Sequence, residues 1–483
     1  MRKFIGILLV LQALQSPAQL FSNYNIKLLS IVDPDTSLMT TPVGNRYSGC
    51  WGWYQAGKNK EYAISGSKSG TYFIDVSNPV TPSVSAYVPG KKGCTWREMK
   101  TYKNYCYIIS SDSKPNRFQI VDMSYLPDSV KIIHDSNVLF EVGHTIWIDN
   151  DKMYIGLTTF QNSYSPLTVW SLATPTAPVL LQRVETQISD HIIHDAHDMY
   201  ARNDTIYVSA GWQGLAILKH SQPRDTLIQI GSYTGYPFAG YNHSSMITQN
   251  GKHLMFCDEV PGSLPIHMVD IQNMQNIQPL QNFHPLPYTT PHNPYIKGNN
   301  FAVVSCYQDG LFIYDISNPA KINTVGYFDT YPQGGANVNN YGQGPYAGNW
   351  GAYPYLPSGI LVANDMQNGL FILDAAAAYT TTVKYPVNAV GLNEWSSGEM
   401  PLRVYPNPAQ NHLAVSLPAE FQNSPFTLSC YDTNDKEVMT VNVSNHGQTV
   451  QELDVSHLPN GIYFLKVVND HRVQAIQKFT LAK

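Results

Sequence analysis

Charge is scarce in this chain. Only 13% of its 483 residues are Asp, Glu, Lys or Arg, the net charge is −5, and Lys and Arg form no block. Such a balance excludes the basic footprint of a nucleic-acid-binding protein. Long apolar runs are also lacking. After the first residues no stretch reaches 18 uninterrupted apolar positions, so no transmembrane segment is expected. Cysteine is sparse, with six residues (Cys50, Cys94, Cys106, Cys257, Cys306 and Cys430) and no Cys-x-x-Cys spacing. That excludes a zinc ribbon and a disulfide scaffold. Single disulfides stay open, with Cys50 and Cys94 the foremost pair, and so do buried free thiols. No Gly-x-Ser-x-Gly elbow, phosphate-binding loop or His-Glu-x-x-His motif occurs, which removes the commonest hydrolase and nucleotidase signatures.

What is plentiful is aromatic and turn-forming. Aromatics make up 12% of the chain, with 32 Tyr, 33 Gly and 32 Pro. This is the composition of a β-rich exported protein. Arg2 and Lys3 precede the apolar stretch Phe4 to Leu14, and Ser16-Pro17-Ala18 offers a cleavage site. Residues 1–18 are therefore expected to be a signal peptide.

The chain repeats itself. An apolar strand, a glycine turn, a second apolar strand closing on Asp and a proline turn appear at Glu61-Tyr-Ala-Ile-Ser65 and Gly70-Thr-Tyr-Phe-Ile-Asp75-Val-Ser-Asn-Pro79. They return at Phe301-Ala-Val-Val-Ser305 and Asp309-Gly-Leu-Phe-Ile-Tyr-Asp315-Ile-Ser-Asn-Pro319, and again up to Asp374. Closing positions at 75, 122, 171, 219, 270, 315 and 374 lie 45 to 51 residues apart, except the last interval of 59. The excess is a Gly/Asn/Tyr-rich insertion, Gln333 to Gly348. About four strands per period is the signature of a propeller blade, so a seven-bladed β-propeller is expected over residues 19–378. Blade seven lacks a fourth strand after Asp374, and the stretch from Ile26 to Asp33 is expected to supply it.

The Ile/Val-Asp-Ile-Ser-Asn-Pro phrases resemble LVIVD repeats. The region also resembles the choice-of-anchor B family at Trp51-Gly-Trp53, Thr95-Trp-Arg-Glu98, Asn242-His-Ser244, His292-Asn-Pro-Tyr295 and Trp350 to Gly359. That resemblance implies a secreted or surface-bound bacterial propeller and supplies no reaction. After a linker over residues 379–400, Val404-Tyr-Pro-Asn-Pro408 and Leu458-Pro-Asn-Gly-Ile-Tyr463 resemble the type A sorting domain of the type IX secretion system. Residues 401–483 are expected to form this small Ig-like β-sandwich. The resemblance implies the type IX secretion machinery as a partner, delivery to the outer-membrane surface or medium of a Gram-negative bacterium, and attachment to surface glycolipid once the domain is removed.

Aligning the blades by their second strands reveals a ring. Ten residues back from Tyr107, Tyr154, Tyr207 and Ala302 stand Arg97, His144, His197 and His292. His243 corresponds in blade five with two extra residues, and Trp51 and Trp350 lie eleven back from Tyr62 and Leu361. First strands line a propeller's channel, so these residues are expected at one mouth. Converging neutral imidazoles suit a transition metal such as zinc, with His144, His197, His243, His292 and Asp198 as donors. Trp51, Arg97, Glu98 and Trp350 would line the same mouth for a ligand. Hydrogen-bonded packing between blades would account for the same histidines equally. Two functions remain open: a binding module for an extracellular ligand, favoured by the lack of a clear nucleophile, and a metal-dependent enzyme acting on a polymer at the same mouth.

Overall fold

The computed structural model describes residues 21–36, 44–112, 114–190, 192–221, 226–332 and 346–390, and in the C-terminal unit 403–406, 409–416, 425–432, 436–444, 450–469 and 472–483. The expected signal peptide and positions 333–345 of the insertion lie outside these residues. The chain divides into two units, Met1–Leu392 and Asn393–Lys483.

Unit one is a seven-bladed β-propeller. Blade one is the four-stranded antiparallel sheet Tyr47–Gln55, Lys60–Ser67, Gly70–Asp75 and Ser83–Pro89. Blades two to six repeat the order, opening at Arg97, Thr145, Asp198, Tyr241 and Asn293. Blade seven holds Asn349–Tyr353, Leu361–Asp365 and Gly369–Asp374, and Lys27–Val32 pairs antiparallel with the last of these.

Side chains of successive strand residues point to opposite faces, which in a blade means opposite neighbours. Cys106 and Ile108 pack with Tyr62, Ile64 and Phe73 of blade one, whereas Tyr107 and Ile109 pack with Ile146 and Ile155 of blade three. Similar clusters join blades three and four, four to six, six and seven, and seven and one. The ring of cores is continuous. Each fully buried Phe, Ile or Leu in it contributes roughly 1.5–3 kcal/mol.

One irregularity recurs. Third and fourth strands shift register at Phe73/Ile74, Val169/Trp170, Ile217/Leu218, Met268/Val269 and Ile313/Tyr314, and blade two carries the same shift between Ile132 and His134. Lys27–Val32 carries a similar shift against Gly369–Asp374, between Leu28 and Ser30. Such bulges twist the outer strand away from neighbouring sheets. The closing aspartates act locally: Asp75, Asp122, Asp270, Asp315 and Asp374 each accept a backbone N–H two residues on, capping the turn.

Two expectations need correction. Cys50 and Cys94 do not bond; all six cysteines are buried free thiols. Cys50 packs between blades one and seven, while Cys94 donates its thiol to the Asp112 carbonyl. The span from 379 is also more than a linker at its start. Tyr385–Pro386 pairs with the outer strand of blade six, whose other end pairs with Asn23–Tyr24, and Asn388–Val390 pairs with the outer strand of blade five, so both edges are covered.

Unit two is all-β. One sheet contains Arg403–Tyr405, His412–Ser416 and Val450–Asp454, and the other Glu437–Val443, Phe426–Tyr431, Gly461–Asn469 and Arg472–Leu481. Leu413, Val415, Phe426, Leu428, Leu453, Leu465 and Phe479 form its core.

Candidate functional site

The histidines are placed by their backbones. His144, His197 and His292 each stand just before a first strand and donate the backbone N–H to the second strand, at Gly156, Ser209 and Ser305. His243 and Trp350 arrive differently. Each lies at a register shift in its first strand, between Asn242 and Ser244 and between Asn349 and Gly351. A bulge re-aims the residue it displaces.

The four imidazoles form an arc across blades three to six. Consecutive ring centroids are 4.5, 4.2 and 4.3 Å apart, and Trp350 continues the arc 4.3 Å from His292. Each ring reaches for the next blade. Nδ1 of His197 lies 3.2 Å from the His243 carbonyl, Nδ1 of His243 3.1 Å from that of His292, and Nδ1 of His292 2.6 Å from that of Trp350. A carbonyl only accepts, so these three nitrogens carry the proton and each Nε2 is a bare acceptor. His197 Nε2 then accepts from His144 Nε2 at 2.9 Å, which leaves His144 Nδ1 to accept from the Ser111 hydroxyl at 3.0 Å.

Burial keeps the rings neutral. It pushes His144 down to about 4, helped by the neighbouring His243, and holds His197 and His292 well below the usual histidine value. His243 is lowered for the same reason, although the Glu259 carboxylate opposes it.

Beside the arc is a cavity of about 50 Å³, lined by His144, His197, His243, His292, Trp96, Glu98, Lys100, Asp198 and Trp350 among others. At roughly 10–15 Å³ per water it admits a few waters or a small ion, and no sugar ring. Lys100 lies 3.4 Å from Glu98 and 4.3 Å over the Trp51 ring. Glu98 also faces the Trp350 indole N–H at 3.5 Å. Burial raises the Asp198 carboxyl to about 7, with Lys100 pulling the other way.

Two expected ring members differ from expectation: Trp51 lies outside the cavity lining, and Arg97 lines it with its charged end turned away. Trp51 is in the regular ladder opposite Ile64, packed on Trp147 and Tyr353, because the register of its strand shifts between Tyr47 and Cys50, before it. Counting eleven residues back therefore lands beyond the mouth. Arg97 is buried, with its guanidinium turned outward to the carbonyls of Ser67 and Lys91. Its neighbour Trp96 takes the mouth position instead, stacked 4.7 Å from Trp350. In a strand a slip of one residue exchanges the two faces. His194 is exposed and paired with Asp190, and His191 lies outside the described residues.

Glu259 was not foreseen. It ends the second strand of blade five, a strand that lines no channel elsewhere, so the repeat carried no signal for it. Its Oε2 lies 3.7 Å from His243 Nε2, and its other oxygen accepts the Tyr307 hydroxyl. His243, Glu259 and His292 offer donor atoms all within 4.8 Å of one another, and all three are buried. Next to Tyr307, Gly348 has a φ of +88°, and a Cβ there would come within 2.2 Å of the Tyr307 carbonyl oxygen, so only glycine fits.

Fold and tail together define a class: a seven-bladed propeller carrying a C-terminal export signal. Residues 403–482 match the family described as the secretion system C-terminal sorting domain. The protein is thus a client of the type IX secretion machinery, secreted or held at the outer-membrane surface. Among the described residues no helix is long and apolar enough to cross a membrane. A search of curated proteins finds no match. Among solved structures the chain is similar to PorZ, a surface component of the type IX secretion system of Porphyromonas gingivalis, at 10% identity and a TM-score of 0.39. That match covers 87% of this chain and 64% of the other, so this chain spans just under two thirds of it. U3-55K (9% identity, TM-score 0.46, 72% and 98% covered) and the WD40 propeller domain of Doa1 (9%, 0.47, 72% and 97%) are similar to the same degree.

Proposed function

We propose that this chain is an exported surface propeller, a binding module of the LVIVD-repeat and choice-of-anchor B kind, that holds a divalent transition ion at its histidine-lined mouth. In this reading residues 1–18 direct export. Lys27–Val32 closes the ring as the fourth strand of blade seven, and the Ig-like tail is removed on delivery, with attachment to surface glycolipid. The observation that carries the ligand reading is the orientation of the rings. His197, His243 and His292 each spend Nδ1–H on a backbone carbonyl, which fixes the tautomer; Nε2 of His197 is engaged by His144, while those of His243 and His292 are left as ligands. Neutral imidazole is the form a metal requires. His144, His197, His243, His292 and Asp198 surround the ion, while Glu98 and Trp350, with Trp96 in the place expected of Arg97 and Trp51, line its approach.

Copper(II) or nickel(II) added to the full chain at neutral pH is expected to quench the fluorescence of the stacked Trp96–Trp350 pair in a saturable way. Quenching that rises without saturation, unchanged in Trp350→Phe, would contradict the reading. A second reading, a metal-dependent enzyme acting on an extracellular polymer, draws on Asp198, a half-buried carboxyl near Lys100 whose pKa is raised to about 7. That range suits a general base. It requires polymer hydrolysis that Asp198→Asn abolishes while metal binding is retained, and no hydrolysis in the wild type excludes it.

A further inference from the structure

The arc of histidines is not uniform. His144 and His197 satisfy each other: Nε2–H of His144 meets Nε2 of His197, and their other nitrogens bond Ser111 and the His243 carbonyl. His243 and His292 have no such arrangement. Both Nδ1 protons are committed to carbonyls, so both Nε2 atoms are bare acceptors. His292 is 0% exposed, and its Nε2 has no hydrogen-bond partner among the described residues. Nε2 of His243 faces a Glu259 oxygen at 3.7 Å, beyond hydrogen-bond reach, and a carboxylate offers no proton.

Three acceptors thus face one another in a buried space with no donor between them among the described residues. Protein interiors leave few buried polar atoms unpaired, because each costs free energy. A proton could serve one pair only. A divalent cation serves all three at once. Tyr307 adds the support expected around such an ion, donating its hydroxyl to the Glu259 oxygen and so orienting the carboxylate.

We infer that His243 Nε2, His292 Nε2 and the Glu259 carboxylate are the protein ligands of a divalent transition ion, with His144 and His197 a hydrogen-bonded buttress beside it. This rests on the metal reading above and narrows it. Two imidazoles and one carboxylate suit zinc or ferrous iron and leave coordination positions open. His243 and His292 also line the 50 Å³ cavity, so a water or small oxyanion from that side has access to those positions.

Calorimetric titration of the chelator-stripped full chain with zinc(II) at neutral pH tests it, with the visible spectrum of cobalt(II) as a second readout. The wild type takes up one equivalent. Glu259→Gln weakens binding ~100-fold or more, and Tyr307→Phe, which removes only the orienting bond, weakens it about 10–100-fold. His292→Asn keeps a donor for the Trp350 carbonyl while deleting Nε2, and has the same effect as Glu259→Gln should that variant fail to fold. His144→Ala and His197→Ala, which remove a hydrogen-bonded support and no ligand, weaken binding less than either ligand variant, and His194→Ala, at an exposed ring away from the arc, stays within about threefold of wild type. Zinc bound tightly by Glu259→Gln and His292→Asn but lost in His144→Ala or His197→Ala would overturn this ligand set and leave the metal reading standing. No zinc bound by the wild type would end both.

Discussion

His292 donates its Nδ1 proton to the Trp350 carbonyl across 2.6 Å, from blade six to blade seven. The bond joins two neighbouring sheets through their innermost strands. It also decides the chemistry of the ring, because a nitrogen that donates to a carbonyl leaves its partner nitrogen unprotonated. His243 and His197 repeat the device one and two blades back. One set of hydrogen bonds therefore fastens the inner wall and prepares a row of bare Nε2 atoms.

The fastening is measurable apart from any ligand. His197→Ala strands the His243 carbonyl and His144 Nε2–H in a buried setting. Loss of buried partners costs about 1–3 kcal/mol. Chemical denaturation of metal-free protein is expected to show a loss of that size. His194→Ala, at an exposed ring paired only with Asp190, should stay within about 0.5 kcal/mol. Equal effects from the two would contradict the interblade role.

Ring closure has its own test. Lys27–Val32 pairs with the last strand of blade seven, and Ile26 joins the core between blades six and seven. Deleting residues 19–34 bares the edge of Gly369–Asp374 and opens that core. The melting midpoint should fall far more than after an ordinary terminal trim, with aggregation at lower temperature. An unchanged midpoint would assign closure elsewhere.

The seven-fold phrase is legible in the residues because each blade needs the same buried alternation, glycine turn and Asp-capped proline turn. Much of the histidine arc is legible for the same reason, since a period that repeats strands also repeats what precedes them. What defeats counting is backbone irregularity. The register shift before Trp51 moves it out of the mouth, and a step of one residue exchanges Trp96 for Arg97. Glu259 could not be found by repeat logic, because it comes from a second strand, facing His243 and accepting from Tyr307 of the next blade. Nor does spacing reveal whether Cys50 and Cys94 share a loop or point into different packing layers.

Acid should destabilise the propeller. Seven histidines, His144, His197, His243, His253, His267, His284 and His292, have folded pKa values lowered from 6.5, with His144 and His284 near 4 and His267 near 3, chiefly through burial. Below pH 6.5 the unfolded chain binds these protons and the folded chain does not, so stability falls as pH drops toward 4. Five aspartates oppose this. Asp198 and Asp365 are raised to about 7 and Asp258 to about 6, again by burial, and Asp112 and Asp149 less. They bind protons in the folded state and favour it below their raised values. The histidines prevail between pH 6 and 4, where the unfolded chain takes up most and then nearly all of their seven protons. Melting midpoints of metal-free protein should therefore be level near pH 7 and fall steadily below pH 6. A midpoint that rises on acidification would contradict the neutral, buried state of the rings.

The most direct measurement is elemental analysis of the full-length protein, purified without added metal or chelator. The account predicts about one divalent transition ion per chain. It also predicts that chelation removes the ion and that zinc at neutral pH restores it. Protein that carries no such ion, and takes up neither zinc, copper nor nickel, would contradict it.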